Sequence, residues 1–385
     1  MKIPFARVDC SGNEAKYVEE VLQSGWLTTA SKAKKLEEKF CELLGCEHAM
    51  AVNSCTSGLH LALEALGIKE GDKVFVPSMT FTASAEVIRY LGADPVVLDV
   101  DYDTGSLTAE ILKTAIEKHP DTKCLIAVHF GGLALPMTGA NGILELCRAY
   151  DISIVEDAAH ALPSKWDERL VGTFGDITVF SFYANKTMTT GEGGLVATNN
   201  SVLADRIRLM RLHGIDRDVW SRFTSDTAGW EYDVVAPGYK YNMPDLNAAV
   251  GLAQFERLES MHESRVALAK RYFDALQNVG LIDFPSFPEN IYNHSCHLFA
   301  IRLSEQAGIS RNKLIEILAE AGIGTSVHYK PIHQLKYYRE KYDLDASDFP
   351  NAEKIWNSTL SLPIYNLMVD HDIDFVCEKL LEILQ

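Results

Sequence analysis

Residues 48–78 read HAMAVNSCTSGLHLALEALGIKEGDKVFVPS, and the arrangement of apolar residues within them decides the fold. HAMAVNS is a short apolar run ending on Asn53 and Ser54, SGLHLALEALGI carries apolar residues at helical spacing, and DKVFVPS is a second apolar run. The pattern is strand, helix, strand. It continues outward with FTASAEVIRYLG as helix, DPVVLDV as strand, TAEILKTAIEKH as helix, TKCLIAVHF as strand, ANGILELCRAYD as helix and SIVEDAA as strand. Strands that are apolar along their whole length are buried on both faces, and intervening helices of about 10 to 15 residues make the crossovers of a mainly parallel sheet. The expected class is α/β.

From Gly12 to Leu44 two amphipathic helices flank the loop SGWLTTAS. One long helix is expected from Pro244 to about Asp274, after which CHLFAIRL, RNKLIEILAEAG and DIDFVCEKLLEILQ suggest a smaller α+β unit. The chain is therefore divided into a large domain, residues 1–260, and a small C-terminal domain, residues 261–385.

The bulk composition narrows the functions. With 385 residues and 47% hydrophobic content the chain can bury a sizeable core, and its charge of −17 argues against nucleic acid or anionic membranes as partners. Any anionic ligand must be held by local donors. Eight cysteines include no Cys-x-x-Cys pair, and Cys41 and Cys46 lack the histidines of a zinc site, so reduced thiols in a cytoplasmic protein are expected. The N-terminal MKIPFARVDCSG has no apolar signal core, and no stretch approaches the roughly 20 apolar residues of a spanning helix. A strand-associated G-x-G-x-x-G and a P-loop are both missing, and the proline in HYKPIH keeps its two histidines off one helix face. No metal is expected.

Three local signals carry chemistry. Residues 182–194, FYANKTMTTGEGG, put Lys186 on the loop past a strand end, where open α/β sheets build their sites. A desolvated lysine there is an amine nucleophile able to form a Schiff base, whereas a solvated surface lysine is the plainer reading. In VEDAAHA, Asp157 closes a strand; it suits either a helix N-cap or the buried anion that keeps a pyridine nitrogen protonated. His160 follows three residues later. In NSCTSG, the hydroxyls and free N–H groups of a helix start make a phosphate cradle, or simply a cap by Ser54 or Thr56. Ser181 adds one further hydroxyl. An amine, a carboxylate and a phosphate cup at the strand ends of one sheet together match pyridoxal phosphate chemistry.

The motifs VNSCTSGLHLALEALGI, VPSMTFTASAEVI, VEDAAHA, FSFYANKTMTTGEGG and GYKYNMPDLNAAVGLAQ, in this order and over nearly the whole chain, resemble the nucleotide-sugar aminotransferases of PLP fold type I. Within them SGWLTTA and GIGTSVHYKPIHQLKYYRE are most similar to the enzymes that act on UDP-linked 4-keto sugars, such as the UDP-4-amino-4-deoxy-L-arabinose aminotransferases. The resemblance implies pyridoxal 5'-phosphate as cofactor, with Lys186 as the aldimine lysine and proton shuttle, Asp157 on the pyridine nitrogen and His160 near the ring's phenolic oxygen. It places Phe81 on the ring face and Thr56, Ser57 and Ser181 on the phosphate. It also implies a homodimer in which GYKYNMPD reaches the neighbour's phosphate through Lys240 or Asn242; many relatives have asparagine at the first position and arginine at the second. Relatives that dehydrate sugars replace the lysine with histidine, so Lys186 indicates transamination. Glutamate is the expected amino donor, and Arg211, His213, His328, Tyr329 and Lys330 are candidates for the nucleotide sugar. A dTDP- or GDP-linked substrate, amination at C3, and a catalytically silent interaction protein on the same fold stay open at this point.

Overall fold

The computed structural model describes residues 1–140, 142–216 and 232–384. A seven-stranded sheet forms its centre, in the order β1-β9-β8-β5-β4-β2-β3. The strands are β1 (His48–Val52), β2 (Lys73–Pro77), β3 (Asp94–Leu98), β4 (Cys124–Val128), β5 (Ser153–Asp157), β8 (Ile177–Ser181) and β9 (Gly194–Thr198), with a two-residue hairpin, β6 (Lys165–Trp166) and β7 (Arg169–Leu170), between β5 and β8. β3, β2, β4, β5 and β8 pair in parallel, and β9 runs against its neighbours β8 and β1. Every residue of β4, β8 and β9 is buried, as uninterrupted apolar runs demand.

Helices α1 (Glu14–Ser24), α2 (Ser31–Leu44), α3 (Cys55–Ala65), α4 (Thr82–Tyr90), α5 (Ala109–Lys118), α6 (Ile143–Ala149) and α7 (Ser201–Met210) surround this sheet. One face packs under α3, α4 and α7 through Leu59, Leu63, Ile88 and Ile207; the other packs under α5 and α6 through Leu112, Ile116, Ile143 and Cys147. Gly58 lets α3 lie on the sheet: a Cβ there would sit 2.5 Å from Val179 Cγ1 and 3.1 Å from Val196 Cγ2. Among the described residues no helix is long and apolar enough to cross a membrane.

The single helix expected from Pro244 to about Asp274 is corrected to two, α8 (Asp245–Phe255) and α9 (Leu258–Leu276). The break falls where side chains are drawn toward the N-terminal segment. Glu256 accepts hydrogen bonds from Asn13 and Tyr17, and Arg257, with φ −114°, pairs with Asp9 and Glu14. Apolar periodicity carries through such a break and does not reveal it.

Beyond α9 an antiparallel sheet of three strands, β10 (Ile282–Asp283), β11 (Phe299–Leu303) and β12 (Thr359–Leu362), shares its own apolar cluster with α9 and with helices α10 (Arg311–Glu320) and α13 (Asp370–Leu384). Between these last two lie α11 (Lys336–Tyr342) and α12 (Pro350–Ser358). Ile3 joins this cluster, because the N-terminal segment hydrogen bonds Gly322 and Gly324.

The Gly58→Ala variant tests the fit of α3 on the sheet. Its Cβ must displace two buried valines, so unfolding of the cofactor-free chain in urea should show a loss of about 1–3 kcal/mol. An unchanged midpoint would mean that α3 can back away from the sheet at no cost.

Candidate active site

The carboxyl ends of β1, β2, β5 and β8 lie along the same end of the sheet, and the loops leaving them enclose a cavity of about 460 Å³. Its wall includes Ser54, Cys55 and Thr56 after β1, Phe81 and Ala83 after β2, Asp157, Ala159 and His160 at β5, and Ser181, Tyr183, Asn185 and Lys186 after β8. Glu192 and Gly193 close it before β9, and His328 and Tyr329 enter from the C-terminal part.

Period-two geometry turns adjacent β5 carboxylates to opposite faces of the sheet. Asp157 is 5% exposed; its Oδ2 accepts a hydrogen bond from Ser84 Oγ at 2.8 Å and its Oδ1 one from the Ala159 N–H at 3.1 Å. Burial nevertheless leaves its pKa raised, despite Ser84, Ala159 and the Lys186 charge. Among the described residues this carboxylate makes no ion pair. Glu156, with no exposure, is fully provided for by His129 Nε2 at 3.0 Å, the N–H groups of Phe174 and Gly175, and the Thr178 hydroxyl.

Lys186 sits in a tight turn closed by its own N–H donating to the Tyr183 carbonyl. Burial pushes its amine down to about 8, with Arg265 contributing, against the pull of Cys55 and Asp157. The plain surface lysine is excluded.

At the start of α3, Ser54 Oγ accepts from the Ser57 N–H at 3.1 Å, and the first-turn N–H groups of Cys55 and Thr56, both wall residues, have no backbone acceptor among the described residues. Gly194 permits this close approach, since a Cβ there would lie 2.7 Å from the Cys55 nitrogen. Thr56 and Ser181 are on the wall. Ser57 is not: its hydroxyl donates to Asn53 Oδ1 at 2.7 Å, behind the cup.

Phe81, 54% exposed, offers its ring to the cavity. The His160 ring is 4.4 Å from that of His297, a buried side chain whose two nitrogens have no partner among the described residues. His328 Nδ1 is 2.9 Å from Ser361 Oγ, and burial pushes its pKa down to about 4. Tyr329 lines the wall, whereas Lys330 and His213 are exposed and off it. Arg211 is neither a solvated helix end nor a wall residue; it donates to Glu37 at 2.6 Å and to the Ala51 carbonyl at 2.9 Å. Lys240 and Asn242 bond each other beside a second cavity of about 330 Å³ that includes Thr28, Thr29 and Arg211. Sequence reasoning missed Ser84, Cys55, Tyr183 and Asn185. Cys55, inside NSCTSG, and Tyr183 and Asn185, close to Lys186, had a positional signal.

Residues 9–381 match the DegT/DnrJ/EryC1/StrS aminotransferase family. The chain belongs to this family. It is 40% identical over 386 residues to the spore coat polysaccharide biosynthesis protein SpsC of Bacillus subtilis, covering 100% of this chain and 97% of SpsC. Spr1654 of Streptococcus pneumoniae, in its PMP form, superimposes with a TM-score of 0.89 at 32% identity, covering 100% of this chain and 99% of the other. Helicobacter pylori PseC, an aminotransferase of pseudoaminic acid biosynthesis, gives a TM-score of 0.90 at 26% identity, covering 100% and 99%. The enzyme is thus a sugar aminotransferase with the fold type I architecture, and its cofactor is pyridoxal phosphate. The residues present fit that group: a buried carboxylate without its own cation, an amine of lowered pKa, and a helix start with N–H groups to spare.

An amine near 8 sets the pH dependence of cofactor capture. The group's pKa is depressed, so its neutral, nucleophilic fraction rises about tenfold per pH unit below 8 and levels off above. Stopped-flow mixing of cofactor-free enzyme with pyridoxal phosphate should show that plateau; a rate still climbing at pH 10 would assign Lys186 an ordinary amine.

Proposed function

We propose that this aminotransferase moves an amino group from glutamate to a nucleotide-linked 4-keto sugar, the nucleotide being UDP, in two half-reactions on one site. The observation that carries the reading is the single cavity that brings together Lys186, Asp157, Phe81 and the α3 start. The names of SpsC and PseC support a sugar product destined for a polysaccharide or a related glycan. The motif likeness of SGWLTTA and VHYKPIH to UDP-4-keto-sugar enzymes supports the choice of nucleotide.

Bound pyridoxal phosphate supplies an aldehyde that condenses with amines and a ring that accepts the electron pair released at the substrate carbon. Asp157 would meet the pyridine nitrogen as the anion that keeps it protonated. Lys186 Nζ, unprotonated for an appreciable fraction of the time near neutrality, would take up the proton released at the donor's α-carbon and, in the second half-reaction, would supply a proton to the sugar carbon that receives the amine. Phe81 would cover one ring face. The N–H groups of Cys55 and Thr56, with Thr56 Oγ1 and Ser181 Oγ, would hold the phosphate.

The cytoplasmic homodimer and the division near residue 260 belong to the same proposal, with residues 1–5 going to the C-terminal unit they pack on. Lys240 and Asn242, off the cavity of their own chain, are proposed to reach the partner's phosphate. Exposed His213 and Lys330 are proposed at the mouth, toward the diphosphate.

The test follows the visible band of the cofactor-loaded enzyme. Glutamate should bleach it, a UDP-linked 4-keto sugar should restore it, and double-reciprocal plots should be parallel; Lys186→Ala should do neither at a measurable rate. Restoration only by dTDP- or GDP-linked keto sugars would retire the UDP assignment, and a band untouched by glutamate would retire the donor.

A further inference from the structure

His160 and Tyr329 are joined in a way that fixes the position of two hydrogens. The Gly131 N–H donates to His160 Nδ1 at 3.1 Å. A ring nitrogen that accepts carries no hydrogen, so the neutral imidazole bears its one N–H at Nε2. Burial, at 8% exposure, together with the nearby Lys186 and His328, holds the ring far below its ordinary pKa and therefore neutral. Nε2 lies 3.2 Å from Tyr329 Oη. With the hydrogen on nitrogen, His160 donates and the phenol oxygen accepts. The phenol's own hydrogen is left over, and Tyr329 makes no other hydrogen bond among the described residues. Its pKa is driven upward by burial, so the hydrogen stays on through the working pH range.

The position of this hydroxyl gives it a target. Tyr329 stands on the same cavity wall as Lys186 and Asp157, its ring 5.5 Å from Phe81 and 6.1 Å from Phe130. Gly131, which sets the chain of bonds in motion, follows β4 in a left-handed conformation, φ 67°. The loop it belongs to is held by a second histidine of the same tautomer: His129 Nδ1 accepts from the Leu135 N–H at 3.0 Å, and its Nε2 meets Glu156. Both imidazoles are committed donors at Nε2.

We infer that Tyr329 is a catalytic hydrogen-bond donor, its phenolic O–H directed by His160 to the keto oxygen of the carbonyl substrate. The inference rests on the transaminase reading above. When an amine attacks a carbonyl carbon, negative charge develops on the oxygen, and a fixed neutral donor in a water-poor site stabilises it. Donation from His160 polarises the phenol and strengthens that bond. His160 is then a positioning residue that acts through Tyr329, with Nδ1 on Gly131 and Nε2 on Tyr329, in place of the contact with the ring's phenolic oxygen that the resemblance implies.

The experiment uses the holoenzyme and three variants: Tyr329→Phe, His160→Gln and His160→Leu. Three quantities are read. They are the position and pH titration of the resting visible band, cofactor affinity, and the single-turnover rate of the pyridoxamine phosphate form with saturating 2-oxoglutarate, or with pyruvate should glutamate prove not to be the donor. Tyr329→Phe should slow single turnover by about 10- to 100-fold, a loss on the scale of one oxyanion donor or below, while the band, its titration and cofactor affinity stay as in the parent. His160→Leu should fall to the same rate, combine with Tyr329→Phe without further loss, and also leave the band in place. His160→Gln keeps an N–H near Nε2 and should recover most of the rate, which a merely structural role would not allow. A Tyr329→Phe enzyme of parental rate overturns the inference. A shifted band in Tyr329→Phe also overturns it, by assigning the hydroxyl to the cofactor's own oxygen; a shifted band in His160→Leu alone overturns the positioning role. Failure of the transaminase reading would show separately, as a parent enzyme that no amino donor bleaches.

Discussion

Two successive carboxylates at the end of β5 face opposite sides of the sheet, and the difference in how they are satisfied organises the site. Glu156 is surrounded by His129, two backbone N–H groups and a threonine hydroxyl, so its charge is stabilised within the protein and its pKa is lowered against burial. Asp157 receives two hydrogen bonds from Ser84 and Ala159, which burial outweighs. A buried anion short of a cation is costly until one arrives. In the proposed reading a protonated pyridine ring relieves that deficit, which would couple cofactor binding to the stability of the β5 end.

Lys186 has the complementary deficit. Its loop carries the amine into the same enclosed space, where desolvation favours the neutral form and Asp157 only partly opposes this. The proposed proton transfer asks this amine to exchange protons near neutrality, and the same desolvation that burdens the fold supplies that property. The seating of the α3 start against the sheet depends on places where side chains are excluded. At Gly58 and Gly194 the helix start, β8 and β9 come nearer than any Cβ would allow.

Much of this was legible from residue order. Continuous apolar runs in β4, β8 and β9 mark a sheet covered on both faces, and the strand ends place Asp157, Ser181, Thr56 and Lys186 on one edge. The rest was hidden for physical reasons. Ser57 shares a hydroxylated run with Thr56, but the helix turn of about 100° per residue sends its side chain to Asn53. Arg211 reads as a free helix-end cation until Glu37, far away in the chain, is seen to take its charge. Ser84 gives no sign of touching Asp157. The break at Glu256 and Arg257 arises from partners near residue 10, which a periodicity confined to residues 245–276 does not contain.

By itself the sequence determined the α/β class, the strand ends that line the cavity and the place of Lys186 among them, because these follow from local patterns of polarity along a chain whose elements have fixed periods. Tertiary structure decided which hydroxyls face the cavity, which cations are already paired, and where hydrogens sit. The tautomer of His160 is the plainest case. It depends on the N–H of Gly131, 29 residues earlier in the chain, and on a phenol 169 residues later, and only folding brings the three together.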